Sequence, residues 1–281
     1  MNAYQLTKHP GGTWTPTGGR AICPVCGGSK GNPPLAIADT ESGPMLYCHK
    51  SGCSFSDLMN AIEAGGGDIS RAQNTGENVT HLKQEEDGRR SKQARELWLN
   101  SIAIEGTPAE AYLRRRGITA SPKNLRFHQA AFHGPTKQRF PCMVARIEGA
   151  SDFAIHRTFL TRDGEKAPVE PSKMTLGSAR GGAVKLLSGS KRILAVAEGI
   201  ESALSFAQMH DVDLTLWAAL STSGLKAMKL PLRPGKLIVA RDNDQVGLSA
   251  AHDLIRRAQL HDWQTAIAHP DETCADFNDE L

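Results

Sequence analysis

The chain of 281 residues contains no apolar run of membrane-spanning length, and its mean hydropathy is −0.36. That argues against a transmembrane helix. Its start, MNAYQLTKHPGG, lacks the basic-then-apolar pattern of a secretory signal, so cytoplasmic residence away from membranes is the expectation. The pattern GxxxxGKS/T occurs nowhere, which excludes a P-loop ATP motor within these residues. Cysteine is scarce outside one stretch: of six, four fall within residues 23–53, and Cys142 and Cys274 stand apart. Without a secretory pattern, clustered cysteines read as metal ligands sooner than as disulfides. Large apolar residues are nearly absent from 64–90. That segment shows no periodicity and is expected to be a flexible linker.

What is present suffices for a core. Apolar residues make up 40% of a chain long enough for one large domain or two to three small ones. The net charge of +3 hides an uneven distribution. Residues 123–192 hold 13 Lys+Arg against 5 Asp+Glu, whereas 193–281 hold 7 against 13. A basic segment attracts a phosphate backbone, and an acidic one holds cations. Two solvated faces that compensate each other would give the same totals.

The acidic part has internal order. Ile193–Val196 is a buried-strand run, followed by Ala197-Glu198-Gly199 and then by Ile200, Ala203 and Leu204 at helical spacing. About forty residues on, Leu237–Ala240 runs into Arg241-Asp242-Asn243-Asp244, Gly247 and a second helix. Both loops follow strands, and α/β sheets bind ligands beyond the carboxyl ends of their strands. Glu198, Asp242 and Asp244 are therefore expected at one sheet edge. An oxygen-only acidic set suits Mg2+. Singly, each acid is also what a helix start or a turn needs.

The cysteines are spaced C-x2-C (Cys23, Cys26), then, across a gap of 21, C-x4-C (Cys48, Cys53). Two such pairs flanking a strand pair, here 35–38 and 45–47, form the zinc-ribbon plan. Four thiolates close a tetrahedral, structural Zn2+ site. His49 is an alternative to Cys48 or a bystander, and the complete four-thiolate set favours the bystander. Residues 1–20, rich in Gly, Thr and Pro, read as a loose lead-in, with Trp14 packing on the module that follows.

Further along, a helix is expected from Ser91. Thr107-Pro108 starts another, which ends at Arg114-Arg115-Arg116. That arginine run is either a phosphate contact or a solvated helix end. Residues 124–190 alternate as strands around Leu125–His128, Met143–Ile147 and Ala154–Leu160. The glycine-rich stretch 177–182 lacks a phosphate-loop pattern.

EGIESALS followed by ARDNDQVG resembles the Toprim domain, the metal-binding fold shared by bacterial-type primases, topoisomerases and some nucleases. The closing Asp276-Phe277-Asn278-Asp279 is similar to the ending of Toprim domains in phage and plasmid primases. The cysteine module, whose second pair reads CHKSGCSFSD, resembles the zinc module of mobile-element primases. GTPAEAYLRRRGI is similar to a segment preceding the core of plasmid and phage Toprim primases. RFPCMVARIEG, HRTFLTRDGEKA and LGSARGGAVKL are similar to the N-terminal half of the primase core.

The resemblance implies an α/β chain in four parts: a zinc ribbon over 1–63, the linker over 64–90, a helical segment and β-rich subdomain over 91–190, and a Rossmann-like, mostly parallel Toprim domain over 191–281. It implies a DNA primase that makes short RNA primers on single-stranded DNA from nucleoside triphosphates, with structural Zn2+ and catalytic Mg2+ or Mn2+. Glu198, Asp242 and Asp244 become the catalytic acids, with Asp276 a further candidate. Arg146, His156, Arg157, Lys166, Lys173 and Lys185 become the template and nucleotide contacts, Arg157 and Lys185 foremost. Alternating basic residues are also the ordinary solvent face of a sheet. A separate replicative helicase is an expected partner. A Toprim nuclease and a non-catalytic single-strand-binding accessory protein of a mobile element remain alternatives. A topoisomerase is disfavoured, because Tyr4, Tyr47 and Tyr112 all lie outside the Toprim part.

Overall fold

A computed structural model describes residues 3–8, 11–15, 18–29, 31, 33–40, 43–65, 76–190, 192–210 and 212–281. The chain divides into two compact units, Met1–Glu86 and Asp87–Leu281.

The first unit is a four-stranded antiparallel sheet, ordered as in sequence: β1 (Thr13–Thr15), β2 (Gly18–Ala21), β3 (Leu35–Thr40) and β4 (Gly43–Cys48). β3 and β4 are the hairpin expected between the cysteine pairs. The expected loose lead-in is instead ordered. Helix α1 (Ala3–Lys8) buries Ala3 and Leu6 completely in the small core, and the Ala3 N–H donates to Asp39 at 2.9 Å. The glycines that suggested looseness permit close packing: a Cβ on Gly19 would lie 1.8 Å from the Thr7 hydroxyl. Helix α2 (Phe55–Ala64) is capped by the Ser54 side chain, which accepts from the Asp57 N–H at 3.1 Å. Its Leu58, Met59 and Ile62, spaced along one helical face, complete the core.

Helix α3 (Gly76–Leu99) corrects two expectations. The helix begins well before Ser91 and runs through the second half of the stretch expected to be linker; residues 66–75 lie outside the described residues. Glu, Gln, Lys and Arg are good helix formers, so a segment without an apolar stripe still takes helical form. Its last turns are anchored by Ala94 and Trp98.

The second unit holds two sheets. One is antiparallel: β5 (Ile102–Ala103), β6 (Leu125–His133), β7 (Gln138–Ile147), β8 (Ala154–Phe159) and β9 (Lys173–Leu176). Alternation splits its side chains. Phe127, Met143 and Ala145 enter the main core, while Val144, Ile155 and Phe159 pack with Trp98 of α3. Helix α4 (Pro108–Arg115) is capped by Thr107, which accepts from the Ala109 N–H, and has Pro108 in its first turn.

The other sheet runs β10 (Val184–Leu187), β12 (Thr215–Ala218), β11 (Ile193–Ala197), β13 (Lys236–Ala240), β14 (Gln264–Ala268). All neighbours are parallel except β10 against β12. Helix α5 (Ile200–His210) covers one face, and α6 (Thr222–Ala227) with α7 (Gln245–Gln259) covers the other. Both faces are buried, which is why β11 reads as an unbroken apolar run. The main core contains Leu125, Met143 and Ala145 together with Ala195, Ile200 and Leu216, so the β-rich sheet packs on the parallel one. Among the described residues no helix is long and apolar enough to cross a membrane.

Candidate active site and metal centre

The chain leaves β11 toward β12 on one side, and β13 lies on the other. That is the crevice where open α/β sheets place ligands. Ala197 stands opposite Ala240 in the parallel register, so Glu198 and the Arg241–Asp244 loop emerge at one edge. The tail is brought to the same edge. The Asn243 N–H donates to the Ala275 carbonyl at 2.8 Å, and its side-chain amide donates to the Asp271 and Cys274 carbonyls, both at 2.9 Å. Phe277 is buried against Phe206, with ring centroids 5.2 Å apart. Asp276 thereby joins the acids.

Their electrostatics record the gathering. Burial, with Asp276 and Asp244 nearby, pushes Asp242 up to about 6, and the Ser202 hydroxyl and the Lys173 ammonium offset this only in part. Burial and the charges of Asp242 and Asp244 also push Glu198 up. Asp242 Oδ1 is buried without a hydrogen-bond partner. Asp244 caps α7 with one oxygen, accepting from the Gly247 N–H. A buried carboxylate oxygen without a donor, beside like charges, is costly unless a cation neutralises it. The donor set therefore fits an oxygen-seeking divalent ion such as Mg2+. The acids do not converge as tightly as thiolates around zinc: among the described residues, only the four cysteines bring ligand atoms within 4.8 Å of one another.

Glu201, one helical turn on from Glu198, gave no functional signal in the sequence. It is 5% exposed and accepts from the Tyr112 hydroxyl at 2.7 Å and the Lys173 ammonium at 2.9 Å. α4, β9 and α5 thus meet on one carboxylate. Burial alone would raise it, but Lys173 and the two hydrogen bonds hold it at about 2. The folded pKa is depressed, so the stabilisation is present above the unfolded value near 4.5 and is lost as pH falls toward 2. Glu201→Gln is expected to destabilise this unit by about 1–2 kcal/mol, because the Tyr112 hydroxyl and the partly exposed Lys173 ammonium both lose a charged acceptor. The variant should also lose the part of the acid sensitivity that falls between pH 4.5 and 2. Thermal melts of both proteins across that range check this, and parallel pH profiles would contradict it.

The basic candidates separate into two groups. Lys173, His156 and Lys166 gather at the acids. Lys173 acts on Glu198, Asp242 and Glu201, and Lys166 is influenced by Glu201 and Asp276. The other three lie elsewhere. Arg157 alternates with His156 on β8 and is buried on the α3 side, donating to the Phe132 carbonyl at 3.0 Å. Arg146 lies over Phe153, at 5.3 Å from the ring centroid, with Arg95 over the same ring at 4.8 Å. Lys185 pairs with Glu148 at 3.5 Å and sits over Trp217 at 5.3 Å. Period-two alternation explains Arg157, since neighbours on a strand face opposite ways. The arginine run is divided as well. Arg114 pairs with Glu110 at 2.9 Å, whereas Arg116 donates to Asn278 at 2.8 Å and covers Tyr112.

In the first unit, Cys23, Cys26, Cys48 and Cys53 form a compact set, with Sγ–Sγ distances of 3.4 Å (Cys26–Cys48) and 3.9 Å (Cys23–Cys53). A tetrahedron with metal–sulfur bonds near 2.3 Å has edges of about 3.8 Å, and disulfide lengths near 2.05 Å are far shorter. The set fits Zn2+. Each turn closes through a glycine in the left-handed region: Gly27 (φ 69°) donates to the Cys23 carbonyl, and Gly52 (φ 60°) to Cys48. His49 lies outside the set, edge-on to Tyr47 with centroids 4.6 Å apart.

Residues 193–281 match the family model described as Toprim domain, and residues 88–186 match one described as Domain of unknown function (DUF7146). The C-terminal part of this chain is a Toprim domain, as its two acidic loops implied. No curated protein matches the chain. Among solved structures it is similar to the zinc-binding and RNA polymerase domains of the Aquifex aeolicus primase (13% identity, TM-score 0.42, covering 100% of this chain and 79% of that one). It is also similar to the primase fragment of the bacteriophage T7 primase-helicase (13%, 0.41, 90% and 89%). A DNA primase domain from Pseudomonas aeruginosa is a third (15%, 0.41, 69% and 73%). At such distance the likeness leaves the chemistry to be argued from the residues.

Proposed function

We propose that this protein is a DNA primase, joining ribonucleotides into short primers on single-stranded DNA. The observation that supports this most is the unpartnered, buried Asp242 Oδ1 among Glu198, Asp244 and Asp276 at the Toprim sheet edge. Asp242 and Asp244 would hold Mg2+ or Mn2+, which supplies charge neutralisation and alignment for phosphoryl transfer. The 3′ oxygen of the primer bonds to the α-phosphorus of the incoming nucleotide as pyrophosphate leaves. Glu198, whose raised pKa suits a base, takes the proton from that oxygen. Lys173 and Lys166 hold phosphate oxygens beside the acids. The zinc module, a small sheet that the metal staples, grips single-stranded template.

The test is labelled ribonucleoside triphosphates with defined single-stranded templates and Mg2+. Template-dependent products of several nucleotides are expected. Metal-dependent loss of the template without added nucleotides would instead identify a nuclease, and binding without any product would identify an accessory protein.

A further inference from the structure

A cavity of about 470 Å³ lies between α3 and the antiparallel sheet, on the face of β8 that Arg157 occupies and His156 does not. Leu97 of α3, Phe132 of β6, and Met174 and Leu176 of β9 give it apolar walls. Phe132 is left 43% exposed there. Arg157 reaches the cavity from β8 and is itself 7% exposed. Its Nη1 donates to the Phe132 carbonyl at 3.0 Å, and its Nε is sealed without a partner. Nη2 makes no hydrogen bond and is not sealed, so it is the nitrogen open to the cavity.

No carboxylate pairs with this guanidinium among the described residues. Glu96, exposed on the α3 wall, makes no ion pair with it. The Cys142 thiol beside it is pushed up to about 12 by burial, so it stays neutral, and Arg90 adds like charge. A guanidinium keeps its proton, and a buried charge without a counter-charge is costly until an anion supplies one. A second donor stands at the same cavity. His128 Nδ1 accepts from the Ala130 N–H at 3.1 Å, which places the proton of the neutral ring on Nε2. Arg139 lies at the mouth, exposed, 5.9 Å from the Phe132 ring centroid.

The chemistry that fits is one carboxylate with an apolar neighbour. A nucleic-acid strand carries a charge at every nucleotide and is held by a row of cations. Here the open cation is single and recessed, the walls are apolar, and Glu96 would repel phosphates. We infer that this cavity docks a partner protein through a segment bearing an acidic side chain next to a large apolar one. Arg157 and His128 take the carboxylate, and Phe132, Met174 and Leu176 take its neighbour. The inference does not depend on the polymerase reading.

The test is selection of phage-displayed random peptides on the full chain. Fluorescence anisotropy then compares a selected peptide with its counterpart whose carboxylate is changed to the amide. Selected sequences should pair an acidic residue with a large apolar one. The amide form should bind at least about tenfold more weakly, the scale of one charge-assisted hydrogen bond. In Arg157→Met the two forms should bind alike. Phe132→Ser, at an exposed position, should weaken both forms by a similar factor, and it keeps the proposal testable if the buried substitution misfolds. No selected peptide, an undiminished acid preference in Arg157→Met, or wild-type affinity in Phe132→Ser would overturn the inference. A labelled single-stranded oligonucleotide that displaces the peptide and loses affinity in both variants would assign the cavity to nucleic acid and overturn it as well.

Discussion

Asp242→Asn is expected to lower primer synthesis by at least about 10²–10³-fold, the scale of removing one preorganised electrostatic partner of a transition state. The carboxylate is half-buried, crowded by Asp276 and Asp244, and leaves Oδ1 without a donor. Such a group stores unfavourable energy in the metal-free protein, because burial and like charges both oppose its ionisation. The amide has nearly the same shape and no charge. Its metal-free melting temperature at neutral pH should therefore equal or exceed that of the wild type. Loss of activity with undiminished stability is the signature of a functional acid. Loss of both together would make Asp242 an ordinary structural residue, and full activity would remove it from the site. Circular dichroism melts beside the primer assay distinguish these outcomes.

Stripping zinc should have the second large effect. The first unit's core is small, and two of its buried members, Cys23 and Cys48, are themselves thiolate candidates. Structural zinc contributes roughly 10–16 kcal/mol in small modules, more than such a core supplies alone. A strong chelator is expected to release one zinc ion per chain and to unfold the four-stranded sheet, while the melting transition of Asp87–Leu281 persists. Cys26→Ser should reproduce the loss. A purified protein free of zinc, with its first unit melting unchanged, would contradict the assignment.

Much of this was legible in the sequence, for identifiable reasons. Two apolar strands ending in acids lie in neighbouring positions of one parallel sheet, so local pattern alone brings Glu198, Asp242 and Asp244 to one sheet edge. The cysteine spacing pointed to the compact four-thiol set because ligand geometry is short-range. What escaped depends on long-range contact. Glu201 looks like a routine residue of a helical first turn, yet Tyr112, 89 positions away, donates to it. Asn243 reads as turn filler between two aspartates, yet it clamps the tail that carries Asp276. Arg157 was a favoured contact because it is basic and on a strand, but facing direction depends on register, and it lies on the side away from His156. The lead-in looked loose because composition does not reveal that Gly19 leaves room for Thr7.

The central claim is that the Toprim edge holds a divalent cation through Asp242 and Asp244. Electron paramagnetic resonance of Mn2+ titrated into the full chain measures this without requiring catalysis. Bound Mn2+ should appear with the wild type, be displaced by Mg2+ and vanish in Asp242→Asn. Mn2+ binding of equal strength in that variant, or no binding to either protein, would contradict it.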